Sequence, residues 1–331
     1  MKVKITTPCR LHFSLIDLNG SIGRIDGGLG VALNNPQIIV EAELSNEFNL
    51  NVTNSQGYSN KEITEIIRDI MKSLNIENKV SLKIQLNIPA HKGLGSKTQL
   101  SLAISKALCL LNDIEKSPYE LAKLTKRAGT SRIGLTAFER GGFILDGGHS
   151  FGNGKEKQTY LPSSASSAPP APLLAWEPVP DDWYFVVTIP RIKSGAYGIE
   201  EIDIFQQNCP ISLTDVRTIS HIILMKILPA IKQKRIEDFG QGIYEIQGMG
   251  FKKIEIGLQD GIILDLINFY MNNGAYGAGM SSFGPVNFAL VKGSSKAQNL
   301  QQKTIEFLND RCKADIFITN VNNIGAQIQI E

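Results

Sequence analysis

The stretch that most constrains this chain is Ile88-Pro89-Ala90-His91-Lys92-Gly93-Leu94-Gly95-Ser96-Lys97-Thr98-Gln99. Before it, Val80 to Ile88 alternates apolar and polar residues, the period of a half-buried strand. After it, Leu100 to Leu111 is dense in Leu, Ala and Ile and free of proline, which predicts a helix. A glycine-rich loop therefore joins a strand to a helix. Gly93 and Gly95 lack a Cβ, so their amides can approach an anion closely. The helix start adds unpaired N–H groups and the positive end of the helix dipole. Ser96 and Thr98 add hydroxyls and Lys97 a positive charge. Together these make a phosphate cradle. A bare glycine turn with Ser96 as the helix cap accounts for the same letters locally, so the rest of the chain has to decide.

Residues 2–6 alternate as a strand, and Arg10, His12 and Ser14 alternate with Leu11, Phe13 and Leu15. That spacing puts three polar groups on one strand face. A turn-rich loop, 19–28, holds Asp17, Arg24 and Asp26 close in sequence, and strands are expected at 29–33, 37–44 and 48–52. Helical spacing covers 61–74 and resumes from Ser117-Pro118 to about Arg127. A short helix and a strand closed by glycines fit 129–149. Residues 161–180 hold six of the fourteen prolines and a serine-rich run, which predicts a surface loop or flexible insertion. A strand follows at 183–190, then helices near 214–227, 229–240, 260–272 and 295–312, with strands at 286–291 and 315–319. Strands and helices mix in both halves, so the class is α/β or α+β, and no internal repeat is visible.

The 331 residues suggest two domains. A net charge of +2 argues against a nucleic-acid partner held by bulk electrostatics. Cys9, Cys109, Cys209 and Cys312 are far apart and form no CxxC pair, which fits a reducing, cytoplasmic setting better than disulfides or zinc. The chain opens on a strand pattern with no signal-peptide signature, and no apolar run is long enough to span a bilayer.

Three motifs stand in order: Pro8-Cys9-Arg10-Leu11-His12-Phe13, then Pro89 with Gly93-Leu94-Gly95-Ser96, then Gly277-Ala278-Gly279-Met280-Ser281-Ser282-Phe283-Gly284-Pro285. With them the chain resembles the GHMP superfamily of galactokinase, homoserine kinase and mevalonate kinase relatives. The resemblance implies an α+β fold with a ribosomal-S5-domain-2-like N-terminal domain over 1–195 and a ferredoxin-like C-terminal domain over 196–331, with the active site between them. Within the superfamily, Arg10 to Gly20, Arg24 to Gly28, His91 with Gly93 to Gln99, and Phe138 to His149 resemble the β-ribofuranosylaminobenzene 5'-phosphate synthase branch. That branch implies condensation of phosphoribosyl pyrophosphate with 4-aminobenzoate or 4-hydroxybenzoate, with loss of carbon dioxide and pyrophosphate, in methanopterin biosynthesis. It also implies Mg²⁺, no organic cofactor, a homodimer, and no nucleic-acid or membrane partner.

On this reading Asp17, Arg24, Asp26 and His12 are the catalytic candidates. Arg24 can clamp a carboxylate or phosphate, the two aspartates can stabilise a cationic sugar, bind Mg²⁺ or orient Arg24, and His12 and His91 can carry protons. His91, Gly93, Leu94, Gly95, Ser96, Lys97, Thr98, Gln99, Glu139, Arg140, His149, Ser281 and Ser282 are the phosphate or substrate contacts, with Ser96 and Thr98 as metal ligands. Each has a bland counterpart: Asp17 capping a turn, Arg24 with Asp26 as a surface pair, Glu139 with Arg140 as a solvated pair, Arg191 and Lys193 as a solvated turn. Two departures stand out. The branch usually has a small residue at Lys97. The turn Gly129-Thr130-Ser131-Arg132 lacks the aspartate that kinases of the superfamily often use as a base. An ATP-dependent small-molecule kinase and a non-catalytic binding protein on the same scaffold are the competing readings.

Overall fold

The computed structural model describes residues 1–163, 165–192 and 199–331. It begins with two long strands, β1 (Lys2–Asp17) and β2 (Arg24–Leu44), paired antiparallel as one hairpin. The short strands expected along 2–44 are therefore two continuous ones, bent by register shifts between Thr7 and Cys9 and between His12 and Ser14. Such bulges re-aim side chains without breaking the ladder. Then come β3 (Asn49–Thr53), α1 (Asn60–Ser73), β4 (Val80–Leu86), α2 (Ser96–Leu111), α3 (Pro118–Leu124), α4 (Ile133–Arg140), β5 (Phe143–Asp146) and β6 (His149–Ser150). Capping boxes start α1 and α3: Ser59 with Glu62, and Ser117 with Glu120. Helix α2 starts at Ser96, earlier than its apolar run, because Gly95 takes the cap position with a left-handed φ of 80°. It is buried along nearly its whole length, packed on β1 and β2 and flanked by α1, α3 and α4.

The chain continues with β7 (Leu173–Glu177), β8 (Trp183–Pro190), α5 (Ile199–Asn208), α6 (Leu213–Ile222), a π-helical turn Ile223–Ile227, α7 (Leu228–Lys232), α8 (Ile236–Gln247), α9 (Gly250–Gly257), α10 (Ile262–Asn272), β9 (Gly277–Met280), β10 (Asn287–Lys292), α11 (Ser294–Leu308), β11 (Ala314–Asn320) and β12 (Gln327–Ile330). The single helix expected at 229–240 is two helices, broken where Lys234 takes a φ of 58°. No helix among the described residues is long and apolar enough to cross a membrane.

Two sheets result. The first runs β12-β1-β2-β4-β3, with β5, β6 and β7 branching from it, and the second runs β11-β8-β10-β9. The second sheet is covered on one face by α10 and α11, through Ile263, Leu266, Tyr270 and Leu300. Phe185, Val187 and Phe288 on its other face join the main core with Phe239 and Ile243 of α8. The expected boundary at 195/196 lies outside the described residues, and the sheets do not divide there. Strand β8 precedes that boundary yet is an interior strand of the second sheet, because its two faces are needed in two cores. Strand β12, from the chain's end, closes the edge of the first sheet beside β1. The expected insertion at 161–180 is likewise partly built in: β7 pairs with β5, and Pro172 and Pro178 flank the strand rather than interrupt it.

Candidate active site

A cleft opens where the glycine loop, the polar face of β1 and the β9–β10 turn meet. Ser281 ties the three together. Its hydroxyl donates to the Gly93 carbonyl at 2.6 Å and accepts the His12 amide at 2.9 Å. The Ser282 amide donates to the His12 carbonyl at 3.2 Å. Arg10 holds the loop from the other side: its amide donates to the Leu94 carbonyl at 3.1 Å and its guanidinium to the Gly93 carbonyl. Around this junction the cleft is lined by Arg10 and His12 of β1, by His91, Gly93 and Thr98, by Arg127, Thr130 and Ser131, by Glu255 of α9, and by Ser282 to Gly284.

The cleft lining carries two cations, Arg10 and Arg127, and two carboxylates, Glu201 and Glu255. Burial pulls the Arg10 guanidinium down to about 10, so it stays charged near neutral pH. Lys252, fully buried on α9, forms an ion pair with Glu255 one turn along. Burial followed by Arg10 and Lys252 holds the His12 imidazole well below its ordinary value. His12 is therefore neutral near pH 7, and its buried Nδ1 has no hydrogen-bond partner. Burial also lowers His91, helped by Lys97. With the first amides of α2 facing an anion as the helix dipole favours, the arrangement can hold phosphoryl groups and present a neutral imidazole beside them.

Of the expected site residues, His12, His91, Gly93, Thr98 and Ser282 line this cleft, and Ser281 frames it. Gly95 caps α2 beside Arg10, whose side chain a Cβ there would meet at 3.0 Å. Others sit elsewhere. Asp17 does not line the cleft. Its carboxylate accepts the Asn19 and Gly20 amides at 2.7 and 3.0 Å, the turn-capping arrangement. Arg24 grips the Gly147 and Gly148 carbonyls. Asp26 is fully buried, hydrogen-bonded to His149 Nδ1 at 2.7 Å and to Lys157 Nζ at 2.9 Å. Asp17 is thus spent on its own turn, while Arg24 and Asp26 both hold the segment 147–149, and Asp26 neither pairs with Arg24 nor faces the cleft. Glu139 pairs with Arg132 at 3.2 Å, and exposed Arg140 lies over Trp176. Leu94 is core, and buried Gln99 donates to the Gly134 carbonyl at 2.7 Å. Ser96 Oγ is buried against Tyr58 Oη at 2.9 Å, which leaves Thr98 alone of the expected metal pair facing the cleft. Among the described residues no cluster of three or more His, Cys, Asp or Glu is placed to hold a metal ion. Lys97 lines a neighbouring cavity between α1, α2 and α3 instead. Arg191 forms an exposed pair with Asp315, and Lys193 lies outside the described residues.

Sequence reasoning passed over Arg127, Lys252 and Glu255 and read Arg10 and Thr130 only as members of a strand face and a turn. The strand alternation that grouped Arg10 with His12 was a usable signal. Lys252 and Glu255 stand three apart on a helix that was not anticipated, and Arg127 marks only a helix end, so neither carried one.

Comparison with known proteins follows the same lines. The model of the GHMP kinases N terminal domain matches residues 61–142, and that of the GHMP kinases C terminal domain matches 227–310. A homoserine kinase from Cytophaga hutchinsonii superposes with a TM-score of 0.69 at 19% identity, covering 99% of this chain and 97% of that one. Curated relatives named beta-ribofuranosylphenol 5'-phosphate synthase are far nearer in sequence. The one from Methanothermobacter thermautotrophicus is 42% identical over 97% of both chains, and the one from Methanocaldococcus jannaschii is 42% identical over 98% of this chain and 99% of its own. The chain belongs to the GHMP family, in the branch whose curated members are named beta-ribofuranosylphenol 5'-phosphate synthase.

Proposed function

We propose that this enzyme is a decarboxylating phosphoribosyltransferase that joins the ribose of phosphoribosyl pyrophosphate to 4-hydroxybenzoate, as a step toward methanopterin. The observation that carries the reading is near-full-length identity to relatives whose name specifies a ribofuranosylphenol 5'-phosphate. A phenol in that name favours 4-hydroxybenzoate over 4-aminobenzoate. In the reaction the bond from the sugar anomeric carbon to diphosphate breaks. The ring carbon bearing the carboxylate attacks that carbon, and the ring–carboxylate bond breaks to release carbon dioxide. No net proton is consumed.

The cleft supports each part. The glycine loop, the start of α2 and the Arg10 charge suit the departing diphosphate, whose developing charge preorganised donors stabilise by several kcal/mol, on the order of 3. Neutral His12, whose side chain lines the cleft, suits a hydrogen bond from the para hydroxyl, which pushes electron density toward the attacking ring carbon. At the cleft Thr98 offers a hydroxyl and Glu201 a carboxylate, while Glu255 is already paired with Lys252, a set that suits a magnesium ion arriving with the diphosphate. When bound, such an ion would neutralise charge on the leaving group. A homodimer and a cytoplasmic location belong to the proposal through the family alone.

The test uses carboxyl-labelled 4-hydroxybenzoate and phosphoribosyl pyrophosphate. Labelled carbon dioxide and a C-riboside 5'-phosphate are expected in equal amounts. ADP formed from ATP with homoserine or mevalonate, and no labelled carbon dioxide, overturns the reading in favour of a kinase.

A further inference from the structure

Arg127 is a cation at the cleft whose guanidinium is largely unpaired among the described residues. It is partly buried, at the end of the α3 segment, and its Nε donates to the Thr125 carbonyl at 3.3 Å. Among the described residues its two terminal amino groups have no hydrogen-bond partner and it forms no ion pair. A guanidinium offers five donors in a planar fork, and four of these are unspent. Arg127 also lines both the main cleft and the neighbouring cavity between α1, α2 and α3. Lys97, on the first turn of α2, lines that second cavity with it, as do Lys72 and Lys126. Only Asp69 brings an acid to the lining. Burial and then the Arg127 charge disfavour the charge on Lys97, and the acid that acts on Lys97, Glu62, is held by Ser59. These four cations outnumber the one acid of the lining and repel one another until an anion arrives, and Lys97 also sits at the positive end of α2.

We propose that Arg127 and Lys97 form a second phosphoryl-binding subsite that extends the cleft toward α1 and α3. It rests on the reading above, under which the substrate carries two separate anionic groups, a 5-phosphate and a diphosphate. One cradle at the glycine loop cannot hold both, and the geometry places the second set of donors on the far side of Thr98. The planar fork of Arg127 suits two oxygens of one phosphoryl group, and Lys97 supplies a point charge beside it.

Titration calorimetry on the full chain with ribose 5-phosphate and, separately, with inorganic diphosphate tests this. Arg127→Gln weakens one of the two anions at least tenfold, and Lys97→Gln, at an exposed position that the fold does not need, weakens the same anion at least threefold. Affinity for 4-hydroxybenzoate stays at the wild-type value in both. Loss confined to ribose 5-phosphate assigns the subsite to the 5-phosphate, and loss confined to diphosphate assigns it to the leaving group. Unchanged affinity for both anions in both variants, or no binding of either anion by the wild-type chain, overturns the subsite. Variant-sensitive anion binding by a chain that transfers no ribosyl group leaves the subsite standing and removes the reaction.

Discussion

Asp146 shows how much a single buried carboxylate decides near this cleft. It is fully buried at the end of β5 and accepts from the Ser131 hydroxyl at 3.2 Å and the Arg132 amide at 2.8 Å, so it positions the turn that lines the cleft. Burial raises it from the ordinary 3.8 to about 6, against the pull of the Arg132 and Gly148 amides. The folded chain thus keeps this proton up to about pH 6, whereas the unfolded chain releases it near 3.8. Between those values the folded state binds more protons, so stability falls as pH rises and levels off above about 6. The difference amounts to roughly 3 kcal/mol. Asp146→Asn removes that dependence: relative to wild type, its unfolding free energy from urea titrations rises between pH 4 and pH 7. Parallel pH profiles for the two proteins would show that Asp146 is ionised throughout. Sequence reasoning found polar residues readily at this scale but not their partners. Asp17, Arg24 and Asp26 look like one cluster in the sequence, yet Asp17 caps its own turn while Arg24 and Asp26 hold the segment 147–149, away from the cleft.

At the scale of elements, the segment between β6 and β7 behaves as a strap. Lys157 anchors it inward, with Nζ at 2.9 Å from Asp26, 3.1 Å from the Thr130 hydroxyl and 3.0 Å from the Leu161 carbonyl. His149 fastens its far side through Nε2 to the Pro169 carbonyl at 2.8 Å. Pro162 and Ser163, carried by the strap, line the cleft. A proline-rich, serine-rich composition signals a surface loop, and that much was legible. The anchor was not, because a single lysine in a polar run reads as solvated. Lys157→Met leaves the Asp26 carboxylate buried with one partner fewer, a change that costs about 3–5 kcal/mol. Urea denaturation measures the loss, and KM for phosphoribosyl pyrophosphate rises as the cleft wall loosens. Adding Asp26→Asn to that variant removes the stranded charge and recovers part of the stability. A Lys157→Met chain within about 1 kcal/mol of wild type would mean that the strap is held by something else.

At the scale of the whole molecule, the cleft exists because two backbone turns from opposite halves of the chain touch. The fold class and the two glycine-bearing motifs were legible because glycine leaves a direct mark in sequence where backbones meet. What met what was not, since the contact joins residues nearly two hundred positions apart, as in the 2.6 Å bond from Ser281 to Gly93. Gly284 is the tightest point: a Cβ built there would lie 1.9 Å from the Lys92 carbonyl oxygen and 2.4 Å from the Gly93 amide. Neither obstacle is a side chain that can swing aside, so Gly284→Ala must part the β9–β10 turn from the glycine loop. Overpacking of this kind costs about 1–3 kcal/mol of stability. Displacing the loop and His12 together lowers kcat/KM at least tenfold, about 1.4 kcal/mol in the barrier. Gly257→Ala is the matched control. It lies on α9 with nothing within 4 Å of the added methyl, so helix propensity makes it neutral or stabilising by up to about 1 kcal/mol. Melting temperature and steady-state turnover of the two alanine variants separate the effects. A Gly284→Ala chain as active and as stable as Gly257→Ala would show that the halves meet more loosely than this contact requires.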